Sequence, residues 1–304
     1  QYLVSEVAGQ RGDSGLATDG LLDLAKTTRD PRLAKRAAEV AMQSRRETQA
    51  LEAATLWHQI DPDETQARQA VAAILLNGGR LREAKPHLET LLAGEGGNVG
   101  AALLHLNQML SRQQDKPASL ALVQELAAPY LDRAEAHFAV AHAAWNAGKD
   151  ELALREVREA RRLRPNWEAA ALLQGQLQQR ASIPETLEFY RSLLGEHPKM
   201  QDVRLAYARL LVSGRQYVEA RAQFEKLLAD LPGNPEVNVA VGLLAMQLKD
   251  YDSAEKYLKQ ALAGQYRDEA MVRMYLGQLF DERGRYAEAA DWYGSVGRGE
   301  QYVP

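Results

Sequence analysis

Six histidines, a run of arginines, two glycine-rich turns and scattered carboxylates are the residues here that could do chemistry. A helical metal site needs imidazoles at i, i+4, where both rings leave the same face. The histidines are His58, His87, His105, His137, His142 and His197; only His137 and His142 are close, and they are five apart. That spacing turns the second ring away from the first, and no HExxH motif occurs, so no metal site is expected. The chain has no cysteine, which excludes disulfides, thiolate nucleophiles and cysteine-based zinc sites. No serine lies in a G-x-S-x-G turn. Gly78-Gly79 and Gly94-Glu95-Gly96-Gly97 neither follow strands nor lead to a P-loop lysine. The residues point to a protein that is not an enzyme and takes no cofactor.

Arg155, Arg158, Arg161, Arg162 and Arg164 raise the question of nucleic acid. Glu151, Glu156 and Glu159 interleave with them, and Glu151 precedes Arg155 at the favourable i, i+4 spacing. Cations there also complement the dipole at a helix C-terminus. The net charge of −4 supplies no basic field, so nucleic acid is not an expected partner. No apolar run is long enough to span a membrane. The start, Gln1-Tyr2-Leu3-Val4, lacks an initiator methionine and a signal-peptide pattern, so any targeting segment is expected upstream of it.

The elements that position these residues come from a repeat. Ala17, Ala50, Ala84, Ala153, Ala220, Ala254 and Ala289 follow one another at 33, 34, 69, 67, 34 and 35 residues, the long gaps being double periods. Twelve residues before each stands another small residue: Ser5, Ala38, Ala72, Ala141, Ala208, Gly242 and Gly277. Two small residues at a fixed offset let paired helices approach closely where they cross. Gly12, Gly79, Gly148 and Gly284, five before four of the alanines, predict left-handed caps ending the first helix of each pair. Larger residues four after the alanine, such as Val157, Phe224 and Leu258, are expected to fill the groove against the next pair. Pro62, Pro165 and Pro232 end the second helix.

This signature resembles the tetratricopeptide repeat over essentially the whole chain. The resemblance implies an all-α fold, an α-α superhelix of about nine helix hairpins, near residues 1–29, 31–62, 63–97, 98–131, 132–165, 166–198, 199–232, 233–265 and 267–298. No linker separates domains, so residues 1–304 read as one solenoid, part of a longer array. Two units depart from the pattern. The one near 98–131 carries Pro117 and Pro129; the one near 166–198 has lost a turn residue and restarts with the capping box Ser182-Ile183-Pro184-Glu185. The last hairpin leaves Trp292, Tyr293 and Val296 without a following unit, which implies self-association through an uncapped end.

The first helix of each hairpin is expected to line a concave groove. In the middle units this selects Phe138, His142, Trp145 and Asn146; Leu172 and Gln176; Leu205 and Arg209; Val239, Leu243 and Met246; and Met274 and Gln278. So apolar a wall reads as a site for protein or peptide partners, although each residue also fits a buried stripe. The lysine–asparagine carboxylate clamp of some such domains is not matched, since Lys35 is followed by Glu39.

Tyr2-Leu3-Val4-Ser5-Glu6-Val7-Ala8-Gly9-Gln10-Arg11-Gly12-Asp13, with Thr28-Arg29-Asp30-Pro31-Arg32-Leu33-Ala34-Lys35-Arg36-Ala37, is similar to a group of proteobacterial tetratricopeptide outer-membrane lipoproteins. Gly299-Glu300-Gln301-Tyr302-Val303-Pro304 resembles a junction leading to further repeats in such proteins. Some of them are adaptors for carboxyl-terminal processing proteases. The resemblance implies a periplasmic location, an upstream lipid anchor at the outer membrane, and a processing protease and its substrates as partners. Composition is equally compatible with the cytoplasm. A structural role in pilus, polysaccharide-secretion or other envelope assemblies is the alternative.

Overall fold

A computed structural model describes residues 2–11 and 13–296. Among these, eighteen α-helices form nine hairpins, and no strand occurs. Hairpin 1 pairs α1 (Tyr2–Gln10) with α2 (Ser14–Thr28), hairpin 2 α3 (Pro31–Gln43) with α4 (Glu47–Ile60), and hairpin 3 α5 (Thr65–Asn77) with α6 (Leu81–Gly94). Hairpin 4 pairs α7 (Val99–Leu110) with α8 (Lys116–Ala127), and hairpin 5 α9 (Ala134–Asn146) with α10 (Asp150–Leu163). Hairpin 6 is α11 (Glu168–Gln179) with α12 (Ile183–Glu196), and hairpin 7 is α13 (Gln201–Ser213) with α14 (Tyr217–Asp230). Hairpin 8 is α15 (Pro235–Gln247) with α16 (Tyr251–Ala263), and hairpin 9 is α17 (Glu269–Glu282) with α18 (Tyr286–Gly294). The chain divides into two compact units, residues 1–165 with hairpins 1 to 5 and residues 166–304 with hairpins 6 to 9.

The crossing residues behave as their size demands. None of the seven alanines exceeds 3% exposure, and Ser5, Ala38, Ala72, Ala141 and Ala208 are buried opposite them. The larger residue four further on packs differently from expectation. A Cβ added to Gly242 would lie 2.8 Å from Leu258 Cγ, so Leu258 presses back on its own hairpin's first helix at the crossing. The absent methyl is what lets the pair close.

The first helix of seven hairpins ends in one hydrogen-bonded form. The amides of Asp13, Arg46, Arg80, Lys149, Gln216, Asp250 and Arg285 each donate to the carbonyl five residues back, at 2.8–2.9 Å. This is the Schellman closure, which satisfies carbonyls left open by the helix end. It is absent from hairpins 4 and 6, the two units whose sequence departs from the repeat. Gly79, Gly148 and Gly284 take the required positive φ; Gly12 lies outside the described residues. In the remaining three hairpins Arg45, Arg215 and Lys249 occupy the same place, at φ 57–60°. A left-handed side-chain residue costs about 1–2 kcal/mol, and glycine's extra chain entropy offsets about 0.5–1 kcal/mol of that. Lys249→Gly is therefore expected to stabilise the protein by roughly 0.5–1 kcal/mol, measured as a raised urea midpoint. A lowered midpoint would contradict the cap geometry.

Helix starts follow local chemistry too. Asp30 and Asn234 cap α3 and α15 ahead of a proline in the first turn. Ser182 Oγ accepts from the Glu185 amide at 3.3 Å, so α12 begins where the capping box predicts. In the second unit, one core gathers Tyr190, Met200, Tyr207, Leu211 and Phe224; another gathers Leu258, Val272, Leu276 and Phe280. Burial pushes the Tyr190 and Tyr207 hydroxyls up to about 12. Tyr207 keeps its proton and donates it to Glu219 at 2.6 Å. No helix among the described residues is long and apolar enough to cross a membrane.

Candidate protein-binding surfaces

In the first unit, α9 carries a half-buried ladder. Phe138 stacks on His142 with ring centres 6.4 Å apart, and His142 meets Trp145 edge-on at 6.0 Å. The side-chain amides of Asn107 and Asn146 reach His142 Nδ1 at 3.1 and 3.2 Å. An amide nitrogen only donates, so Nδ1 accepts and the imidazole proton sits on Nε2. Burial lowers the His142 pKa, which fits a neutral ring. The four predicted residues of this helix thus form one cluster, positioned by α7 through Asn107.

Asn107 was not anticipated, yet it occupies the small crossing place of hairpin 4, one period before Ala141. Ser119 stands opposite it, and both are buried. In hairpin 6 the place is filled by Gly175, where an added Cβ would collide with the Tyr190 hydroxyl. Stepping the 34-residue period through the two irregular units would have found both. An alanine-only ruler passes over them.

In the second unit, Arg209 and Leu243 come together. With Val212, Tyr217, Ala240 and Gln247 they line an open cleft of about 520 Å³ between α13, α14 and α15. Leu172 and Leu205 are half-buried against the core of hairpins 6 to 8, and Met246 lies against that of hairpins 8 and 9. Gln176, Met274 and Gln278 are exposed, with Gln278 Nε2 donating to Glu282 at 3.2 Å. Val239 does not belong to a wall. It is only 5% exposed and packs in the core, because the helical period selects a stripe wider than the face left open.

The other candidate groups are used structurally. His137 bonds Glu156 at 2.8 Å and the Leu131 carbonyl at 3.0 Å, away from His142's partners. Among the described residues no three His, Asp or Glu side chains converge to hold a metal. Arg155 pairs with Glu156, Arg162 with Glu159 and Arg164 with Glu135. Lys35 donates to Gln66 at 2.8 Å and sits over the Trp57 ring.

Three histidines make stability depend on pH. Burial lowers His58, His87 and His142 from 6.5; the Arg68 charge adds to this at the first two, and His58 adds to it at His87. His58 Nδ1 is buried without a hydrogen-bond partner. Below the ordinary histidine range the unfolded chain takes up protons that the folded one refuses. Their contribution is therefore full above pH 6.5 and lost as pH falls through the lowered folded values. Urea midpoints should drop between about pH 7.5 and pH 5.5, and His142→Gln should flatten part of that slope. A flat profile in the wild type would contradict it.

Nine hairpins with close crossings, Schellman turns and a shared 34-residue period define a helical-repeat protein. Tetratricopeptide-repeat family models match residues 181–245 and 240–298, so this part of the chain carries tetratricopeptide repeats. A TPR repeat-containing protein of Pseudomonas aeruginosa is 28% identical over 206 residues, 68% of this chain; the match spans 35% of that relative's length. Among solved structures, MamA from Desulfovibrio magneticus RS-1 aligns with a TM-score of 0.46 at 17% identity, over 54% of this chain and 92% of that one. A second MamA structure, from AMB-1, gives 0.44 at 19% identity, over 53% and 95%.

Proposed function

We propose that the chain is a non-enzymatic scaffold that binds a protein or peptide segment on the exposed sides of its first helices. The observation that carries this reading is the Phe138–His142–Trp145 ladder: three rings half-open to solvent, the middle one held by the Asn107 and Asn146 amides. Aromatic side chains held in this way bind with little ordering cost. The Arg209–Leu243 cleft offers a second surface in the other unit.

The finer reading is an adaptor, periplasmic and anchored upstream by lipid, that delivers substrates to a carboxyl-terminal processing protease. Its support is the N-terminal resemblance from Tyr2 to Ala37. Mixing the purified chain with such a protease from the same organism tests it. Co-elution and faster cleavage of a protein substrate are expected. A protease that neither co-elutes nor changes its rate would remove the adaptor role and leave the scaffold reading standing.

A further inference from the structure

Within the first unit, the first helix of hairpin 4 meets the helix before it less closely than those of hairpins 2, 3 and 5 do. In the first helix of hairpins 3, 5, 7, 8 and 9, the residues five before and two after the small crossing residue are both buried, as with Val203 and Leu210 or Val272 and Leu279. Hairpin 4 leaves Ala102 and Met109 half-buried there, as hairpin 2 leaves Leu33 and Val40. The cause lies in the connection. The interval from Ala84 to Ala153 is 69 residues, longer than two periods of 34. The glycine-rich run after α6 winds into a short 3-10 turn, Gly96–Asn98, with Gly96 at φ +52°. Helix α7 then rests on α9 and touches α6 only lightly.

The result is an open cleft of about 550 Å³, within the range of about 300–1,000 Å³ that ligand sites occupy. Leu91 and Leu92 of α6 form its floor; Ala73 and Leu76 of α5 and Ala102 and Met109 of α7 form its walls. Gln113 donates to the Leu76 carbonyl at 2.9 Å and ties the α7–α8 turn to the end of α5. Gln69, Glu95, Asn98 and His105 are its polar lining. No lysine or arginine lines the cleft, and Glu95 makes no ion pair among the described residues. An anionic amphiphile would set its charge against Glu95 with neither lysine nor arginine to receive it.

We propose that this cleft receives an amphipathic helix of a partner protein, whose apolar stripe ends in a basic residue opposite Glu95. Two helices with a leucine floor between them match the recognition of apolar residues at i, i+3, i+4 and i+7. The site shares no residue with the Phe138 ladder or the Arg209 cleft, so it stands or falls separately from them.

A synthetic helical peptide with leucines at those spacings and a lysine at one end, labelled for fluorescence anisotropy, is titrated with the 304-residue chain. A twin carries glutamate in place of lysine. The lysine peptide should bind saturably and more tightly than its twin. Ala102→Trp fills the opening and should weaken it about tenfold or more with the melting curve unchanged. Glu95→Lys, at an exposed position, should reverse the preference between the twins. Phe138→Ala with Trp145→Ala should leave peptide binding as it was. Absence of saturable binding, a twin preference that Glu95→Lys leaves unaltered, or binding by dodecylammonium but not by either peptide would each overturn the proposal.

Discussion

Ala153→Leu and Ala220→Leu are each expected to destabilise the protein by about 1–3 kcal/mol, through overpacking at a close helix crossing. Both alanines are fully buried, opposite Ala141 and Ala208. A leucine adds three carbons at a crossing where both facing residues are already fully buried. The pair cannot simply spread, because the same helices stack on neighbouring hairpins and any displacement passes along the array. For domains of this size each kcal/mol is worth about 2–4 °C in Tm. Ala153 tests the first compact unit and Ala220 the second. Arg158→Leu, on the same helix as Ala153 but outward, should stay within about 0.5 kcal/mol of wild type. Unchanged melting in both buried variants would mean that the helices do not cross at these alanines.

The hairpins were legible in the sequence because the crossing tolerates so few residue types. Ala141 with Ala153, or Gly242 with Ala254, recurs where two helices must touch, and that fixed seven of the nine hairpins, the double intervals leaving room for the other two. The turns were legible only where glycine marks them. Arg45, Arg215 and Lys249 adopt the same left-handed conformation, since the hydrogen bonds of the turn set φ and outweigh the side chain's cost. Division into two units at Pro165 was not visible, because the Pro165-Asn166 step resembles the repeat's other proline stops at Pro62 and Pro232. The candidate site was legible in part. Period alone placed Phe138, His142 and Trp145 on one side of α9, and Arg209 and Leu243 in one cleft. It also drew in Val239, which is core, and missed Asn107, whose amide holds His142. Both errors have one source. Period gives a direction around a helix, and only the neighbouring helix decides how much of that direction is covered. The closing segment, Gly299 to Pro304, lies outside the described residues.

The second large effect concerns binding. Phe138 and Trp145 are seven residues apart on α9, two turns, and both rings flank His142. If a partner segment lies on this ladder, each ring is an anchor worth about 2 kcal/mol or more, or roughly 30-fold in affinity. The double substitution Phe138→Ala with Trp145→Ala should then abolish capture at micromolar concentration. Asn107→Ala, which removes a support of His142 without removing a ring, should weaken capture less. Arg158→Ala with Arg162→Ala, on the second helix of the hairpin, should alter only the salt dependence.

The decisive measurement is the affinity of the Phe138→Ala, Trp145→Ala protein for a partner that the wild-type chain retains, with thermal unfolding followed on the same samples. A large loss of affinity with an unchanged melting curve is the predicted result. Full affinity, or a loss that follows unfolding, would contradict the claim that this helix face is where the protein holds its partner.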